Sequence, residues 1–127
     1  MGKLFLAGIG GFIGSSLRYV ATGYFQQLSR SIGFPYGTLA VNLIGCFLIG
    51  FLSQLAESRG VLTGESRTFV FIGILGGFTT FSAFGNETMN LWREGENLLA
   101  MANVAAHLLL GLAAVWASRA LAYQIWG

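Results

Sequence analysis

The chain has 127 residues, of which 54% are hydrophobic and 9% are charged, and its formal net charge is +2. Soluble domains carry about 25% charged residues, so this composition excludes a soluble globular protein and predicts one membrane-embedded domain covering residues 1–127. The small net charge, without a basic cluster, gives no support to nucleic-acid binding. A single cysteine, Cys46, excludes an intrachain disulfide and is expected to be a buried small side chain.

Four stretches are long and apolar enough to cross a bilayer, which takes roughly 20 residues per helix. The predicted spans are residues 4–26, 36–56, 68–91 and 97–117. The first follows Met1-Gly2-Lys3 as a signal peptide would, but no clear small-x-small cleavage site follows it, so it is interpreted as a retained helix. The pattern predicts an all-α membrane protein.

Charge inside the spans is rare, and Arg18 in span one and Glu87 in span three carry it. Because a charge within the bilayer is costly, both are expected to face protein or water. They either form a mutual ion pair or serve in a water-filled vestibule. Spans one and three also contain G-x-x-x-G pairs, which favour close helix packing, at Gly10…Gly14 and Gly73…Gly77.

Spans two and four each contain one strongly polar side chain, Asn42 and His107. An amide offers two N–H donors and one acceptor. Asn42 therefore predicts either an interhelical hydrogen bond, worth roughly 1 kcal/mol, or a donor aimed at an anion. His107 is expected to pack or to form a hydrogen bond rather than to bind a metal, because no second His, Cys or Asp lies nearby in the sequence.

Span three contains the run Gly76-Gly77-Phe78-Thr79-Thr80-Phe81-Ser82-Ala83-Phe84, where a lipid-facing helix would carry Leu or Val. This run predicts a helix broken at mid-membrane. Irregular backbone in hydrocarbon needs protein or water to satisfy its N–H and C=O groups, so a break is a candidate ion site. The three phenylalanines recur every third residue and are expected to stack along one helical face. Their positively polarised ring edges can face an anion.

Neither an enzyme nor a cation exporter is favoured. The chain contains no Asp, and its single His has no evident partner for nucleophilic or metal catalysis. A small multidrug-type proton-coupled exporter needs a carboxylate in span one, where Arg18 is the charged residue. A non-transporting membrane assembly protein would explain the glycine pairs but not Asn42 or the polar run. So little acid within the spans favours an anion pathway.

The seven cations are divided almost evenly between the two ends of the spans. Four lie on the side of the N-terminus, namely Lys3, Arg59, Arg67 and Arg119. Three belong to the other side, namely Arg30, Arg93 and, by snorkelling, Arg18. Because the Lys and Arg bias sets orientation, this count predicts either insertion in both orientations or one orientation fixed by one or two charges.

Three segments together resemble the Fluc/CrcB fluoride channels. They are Gly14-Ser15-Ser16-Leu17-Arg18-Tyr19, then Gly37-Thr38-Leu39-Ala40-Val41-Asn42-Leu43-Ile44-Gly45, then the run from Gly76 to Phe84 followed by Glu87. Their order and spacing, the four spans and the chain length agree with that family. The resemblance implies an antiparallel, dual-topology homodimer in lipid, without a nucleic-acid partner. It further implies passive export of fluoride across a prokaryotic cell (inner) membrane.

The resemblance also implies the site residues, none of them catalytic. The expected ion pathway, shared by both subunits, comprises Asn42, Phe81, Phe84, Thr38, Thr80 and Ser82. Arg18 and Glu87 are expected to be vestibule or structural charges. A structural Na⁺ is implied at the centre of the dimer, bound by the backbone carbonyls of Gly76 and Thr79. Hydroxyl residues common in the family are replaced here by Ala83, Gly85 and Gly111, which puts the role of His107 in question.

The near-even cation count gives a test of orientation. A lysine added to one loop is expected to push the population into a single orientation, and a lysine added to a loop on the opposite side is expected to reverse it. Reporter fusions at Gly127 measure the side on which the C-terminus lies. One fixed orientation of the unmodified chain would contradict an antiparallel homodimer.

Overall fold

The computed structural model describes residues 1–62 and 64–127, and within them the regular structure is entirely helical. Four helical segments are long and apolar enough to cross a membrane. They are span one, Gly2–Ser29; span two, Tyr36–Arg59; span three, Glu65–Arg93; and span four, Asn97–Trp126. The prediction of an all-α membrane protein with four spans is confirmed. Spans two and four begin at the predicted residues, and the other helix ends lie two to three residues beyond the prediction, except that span four continues nine residues further, to Trp126.

A short loop held by one side chain connects spans one and two. Span one ends at Ser29 and is followed by Arg30, whose φ of 56° lies in the left-handed region, and span two begins after Pro35. The Gln26 side chain spans this loop: its Nε2 donates to the carbonyls of Ser31 and Phe34, at 2.7 and 2.9 Å. The first two spans are therefore joined by a turn whose polar backbone is satisfied from within.

Span three is not a continuous α-helix. It is π-helical over Thr68–Leu75, α-helical over Gly76–Phe78, and helical again over Phe81–Arg93. Between the last two segments the backbone is extended, with ψ of 156° at Thr79 and 111° at Thr80. The two β-branched residues, rather than the glycines, leave the helical conformation. The depth of this interruption in a bilayer and the antiparallel dimer stay predictions.

The interruption separates Phe78 from the two phenylalanines that follow it. Phe78 is 9% exposed and packs in the core, whereas Phe81 is 82% exposed. The prediction that three rings stack along one helical face is therefore wrong, because a helical period does not continue through two extended residues. Phe81 and Phe84, on the same helix, do pair, with ring centroids 5.4 Å apart.

Spans one and three pack backbone against backbone at their glycines. A Cβ added to Gly10 would lie 2.6 Å from the carbonyl oxygen of Phe69 and 2.8 Å from Cα of Gly73. A Cβ added to Gly77 would lie 2.8 Å from the carbonyl oxygen of Gly11. Main-chain atoms cannot rotate aside as a side chain can, so the contact requires glycine. The interpretation of the G-x-x-x-G pairs as packing surfaces is confirmed.

Span four contacts a different neighbour in each half. Its first part, Asn97–Ala105, packs on Phe81–Arg93, and its last part, Gly111–Trp126, packs on span two. A π-helical turn, Ala106–Leu110, lies between the two parts. Because a π turn shifts the residues that follow it around the helix axis, the change of partner coincides with this turn.

The glycine contacts give a test of packing. A Cβ on Gly14 would overlap the carbonyl oxygen of Ile74 and lie 2.9 Å from the nitrogen of Phe78, whereas one on Gly8 meets nothing within 4 Å. We expect Gly14→Ala to destabilise the fold by about 1–3 kcal/mol, the usual cost of overpacking. Gly8→Ala, in the same helix, is expected to leave stability unchanged. Equal thermal unfolding midpoints in detergent for the two variants would contradict the packing account.

Candidate functional site

The Asn42 side chain holds the interruption of span three. The Thr80 N–H donates to Asn42 Oδ1 at 2.9 Å, and Asn42 Nδ2 donates to the Thr80 carbonyl at 3.2 Å. An interruption frees main-chain groups, and this pair satisfies both groups of Thr80. Of the two sequence interpretations of Asn42, the interhelical hydrogen bond is present in the structure. Donation to a permeating ion stays a prediction.

Asn42 also contacts span four. Its Nδ2 lies 3.0 Å from His107 Nε2, and His107 Nδ1 lies 3.1 Å from the carbonyl oxygen of Asn103. The His107 ring packs on Phe84, with centroids 4.3 Å apart. The expectation that this histidine packs and forms hydrogen bonds is confirmed. The amide thus connects spans two, three and four at one point.

Thr80 performs a second structural task at the same place. Its Oγ1 accepts a hydrogen bond from the Ala83 N–H at 3.1 Å and so caps the helix that begins at Phe81. The same hydroxyl lies 3.2 Å from Ser82 Oγ. Threonine suits this position because an N-cap residue is itself extended while its side chain accepts from the first turn.

The carbonyls of Gly76 and Thr79 lose their usual helical donors. In a continuous α-helix the Thr80 N–H would donate to Gly76 and the Ala83 N–H to Thr79. Here those donors go to Asn42 and to the Thr80 hydroxyl instead. Gly76 keeps a helical φ of −63°, and the nearest atom to an added Cβ would be the Phe71 carbonyl oxygen, at 3.6 Å. The two carbonyls predicted to hold Na⁺ therefore fit that role, as oxygen ligands released by the interruption.

Arg18 and Glu87 contact different partners. Arg18 Nε donates to the Gly77 carbonyl at 3.0 Å, and Glu87 Oε2 accepts from Thr38 Oγ1 at 2.9 Å. Across residues 1–62 and 64–127 the ion pair formed joins Arg119 to Glu57, at 3.1 Å, and none joins Arg18 to Glu87. The mutual ion pair is therefore not the arrangement that the structure shows. Arg18 instead connects span one to span three by its hydrogen bond to Gly77, just before the interruption.

Two cavities meet at Thr80. The first, about 340 Å³, is bounded by aromatic, aliphatic and small polar side chains, and none of its lining residues is charged. Its wall includes Asn42, Cys46, Gly76, Thr79, Thr80, Phe81, Phe84 and His107. Cys46 is half-buried there, less enclosed than the sequence predicts, and a Cβ added to Gly111 would lie 3.5 Å from its sulfur.

The second cavity, about 700 Å³, is more polar and is lined by the two charged residues of the predicted spans. Arg18, Thr38, Thr80 and Glu87 are among its lining residues. Of the predicted pathway residues, Asn42, Phe81 and Phe84 line the first cavity, Thr38 lines the second, and Thr80 lines both. Ser82 is connected to the site by its contact with the Thr80 hydroxyl. We call the second cavity the charged cavity and the first the aromatic cavity. Thr80, in the interruption of span three, lines both of them.

One buried polar network was not predicted. Asn103 is fully buried, and its Nδ2 donates to Thr88 Oγ1 at 2.9 Å. Thr88 Oγ1 in turn donates to the Phe84 carbonyl at 2.7 Å. The available signal was the spacing of Asn103 and His107, four residues apart on one helical face. Thr88 itself has no pattern that would have marked it.

Comparison with known proteins gives a consistent result. The family model described as "CrcB-like protein, Camphor Resistance (CrcB)" matches residues 5–119. A "Fluoride-specific ion channel FluC" from Elusimicrobium minutum is 46% identical over 90% of this chain and 88% of the relative. One from Parabacteroides distasonis is 48% identical over the same shares. "Fluoride-specific ion channel FluC 3" from Methanosarcina barkeri is 40% identical over 98% of this chain and 93% of the relative.

Proposed function

The chain belongs to the CrcB-like family, and we propose that it is a fluoride-specific passive ion channel, a multi-pass membrane protein of a bacterium or archaeon. The observation that carries this proposal is the identity of 40–48% to relatives named as fluoride channels, over nearly the whole chain. It is a transporter rather than an enzyme. Membership of this family counts against the two alternatives that the sequence left open, a multidrug-type exporter and a non-transporting membrane assembly protein.

The neutral lining of the aromatic cavity supports an anion path. Fluoride is small and strongly hydrated, so a pore must replace its water with other donors. The ring edges of Phe81 and Phe84, the Thr80 hydroxyl and the Asn42 amide line this cavity and are such groups, and the Ser82 hydroxyl contacts that of Thr80. All are uncharged, so the ion binds weakly enough to leave. Fluoride leaves the cytoplasm down its own gradient.

The charged cavity forms the approach to this path. Arg18 supplies the positive charge that attracts an anion, and its bond to the Gly77 carbonyl keeps it beside the interruption. Thr38 also lines this cavity, and its hydroxyl donates a hydrogen bond to Glu87. An ion that reaches Thr80 from this side passes to the aromatic cavity on the other side of the same residue. Arg18 thus acts at the vestibule rather than as a binding site in the pore.

A second copy of the chain completes the path. Phe81 is 82% exposed in one chain although it lines the aromatic cavity, so a wall is missing there. An antiparallel partner supplies that wall and gives two pores related by a two-fold axis. The near-even distribution of cations, four against three, permits the two opposite orientations that such a dimer needs.

The carbonyls of Gly76 and Thr79, which lack their helical donors, would hold a structural Na⁺ at the centre of the dimer, with two carbonyls from each copy. Bound there, the ion would offset the repulsion between carbonyl dipoles of the two subunits. Gly76 is exposed in one chain, so a neighbouring backbone can approach it.

The aromatic pair gives the test of function. We expect the protein in liposomes to release fluoride, and Phe81→Leu or Phe84→Leu to slow release by about tenfold, equivalent to ~1.4 kcal/mol of lost ion stabilisation. Both changes nearly conserve volume, so folding is expected to survive. A fluoride electrode measures the release. Phe5→Leu is the matched control, because that ring is exposed and lines neither cavity.

Two results would count against the proposal. No fluoride release by the unmodified protein would exclude the function. Equal, small effects at Phe5, Phe81 and Phe84 would make the aromatic pair a packing feature. Phe78→Leu is unsuitable as a control because that ring lies in the core, where a change costs stability.

The sodium site gives a separate prediction. Replacing Na⁺ by N-methylglucamine during purification is expected to lower the unfolding temperature of the dimer, and restoring Na⁺ is expected to reverse the loss. Since the ion is structural, radiolabelled Na⁺ should not cross liposomes that contain the protein. Its passage at a rate similar to that of fluoride would contradict the assignment.

A further inference from the structure

We propose that His107 is a positioning residue of the pore: its unprotonated Nε2 accepts a hydrogen bond from Asn42 and sets the direction of the amide donors at the ion path. The inference rests on the proposed function. It concerns how the donor is presented, rather than the identity of the ion.

The orientation of the Asn42 amide is determined by the main chain of Thr80. A backbone N–H can only donate, so the atom 2.9 Å from the Thr80 nitrogen must be the amide oxygen. The amide nitrogen therefore faces the Thr80 carbonyl at 3.2 Å and His107 Nε2 at 3.0 Å. An amide nitrogen has two hydrogens, and each has one of these two acceptors.

The tautomer of His107 follows in the same way. A carbonyl oxygen can only accept, so His107 Nδ1, 3.1 Å from the Asn103 carbonyl, must carry a hydrogen. With Nδ1 protonated, a neutral ring has its lone pair at Nε2. That lone pair lies where the second amide hydrogen of Asn42 needs an acceptor. The contacts of Thr80, Asn42 and His107 agree only in this one arrangement of hydrogens.

The arrangement gives His107 a task that packing alone would not require. Span four contributes His107, Leu108 and Gly111 to the wall of the aromatic cavity, and His107 is the polar member of that set. Its ring lies against Phe84, 4.3 Å between centroids, so it adjoins two of the residues proposed to contact fluoride. The π-helical turn Ala106–Leu110 contains this residue, and π turns frequently coincide with functional positions.

The alternative is that His107 binds the anion directly. A lone pair at Nε2 repels an anion, so a direct ligand needs a hydrogen on that nitrogen. The structure places the Asn42 donor there instead. In our account His107 accepts from the amide between ion passages, and a passing fluoride takes over the same N–H as its acceptor. The ring keeps the donor aligned and does not itself bind the ion.

The single histidine of the chain makes the hydrogen arrangement directly measurable. In protein labelled with ¹⁵N-histidine and reconstituted in lipid, every imidazole signal belongs to His107. We expect Nδ1 to be protonated and Nε2 unprotonated, and we expect Asn42→Leu to shift the Nε2 signal by removing its donor. A protonated Nε2, or an Nε2 signal unaffected by Asn42→Leu, would overturn the inference.

Fluoride release tests the functional half. His107→Gln keeps a side-chain carbonyl that can accept from Asn42 and is expected to retain most of the flux. His107→Leu removes the acceptor and is expected to slow release about three- to tenfold, the range that one hydrogen bond controls. Leu109→Met, in the same π-helical turn but exposed and outside the walls of both cavities, is the volume-conserving control.

The outcomes separate the two proposals. Equal rates for His107→Gln and His107→Leu would overturn the positioning role even if the unmodified protein releases fluoride. If the unmodified protein releases no fluoride, the proposed function fails and the positioning role fails with it. In that case the histidine signals still show whether the Asn42 contact exists.

Discussion

The structure depends on two hydrogen bonds between one side-chain amide and one residue of the main chain. An interrupted helix inside a membrane leaves N–H and C=O groups that water cannot reach, and each unsatisfied group costs several kcal/mol. Asn42 satisfies both groups of Thr80 at once, as an adjacent strand would. With Thr80 secured, its hydroxyl can cap the following helix, and the carbonyls of Gly76 and Thr79 can remain without helical donors.

The rest of the bundle brings Asn42 to that position. Glycine contacts hold span one against the first part of span three, and this packing places Arg18 where it can donate to the Gly77 carbonyl. His107 secures the nitrogen end of the Asn42 amide from span four. The interruption is therefore held by three neighbouring spans. Hydrogen bonds from several spans thus meet at the interruption, which suits the proposed pore, whose donors must replace a tightly held hydration shell.

Much of this could be predicted from sequence because membrane spans have strong local signals. Apolar length gave the four helices, and glycine spacing gave the packing of spans one and three. The features that were predicted wrongly or missed are set by contacts between spans. The direction of the Phe78 side chain could not be inferred from a helical period, because the helix is interrupted at Thr79. The next residue, Thr80, is held outside the helix by its hydrogen bond to Asn42. The partner of Arg18 was missed for a similar reason: nothing in the sequence marks the Gly77 carbonyl, just before the interruption, as its acceptor.

Hydrogen exchange at the two threonine amides tests the central interaction most directly. The Thr79 N–H donates to the Leu75 carbonyl at 3.0 Å, within its own span, whereas the Thr80 N–H depends on Asn42. In lipid, the account predicts slow exchange at both amides in the unmodified protein, and fast exchange at Thr80 alone in Asn42→Ala. Equal protection of the Thr80 amide with and without the Asn42 side chain would contradict it.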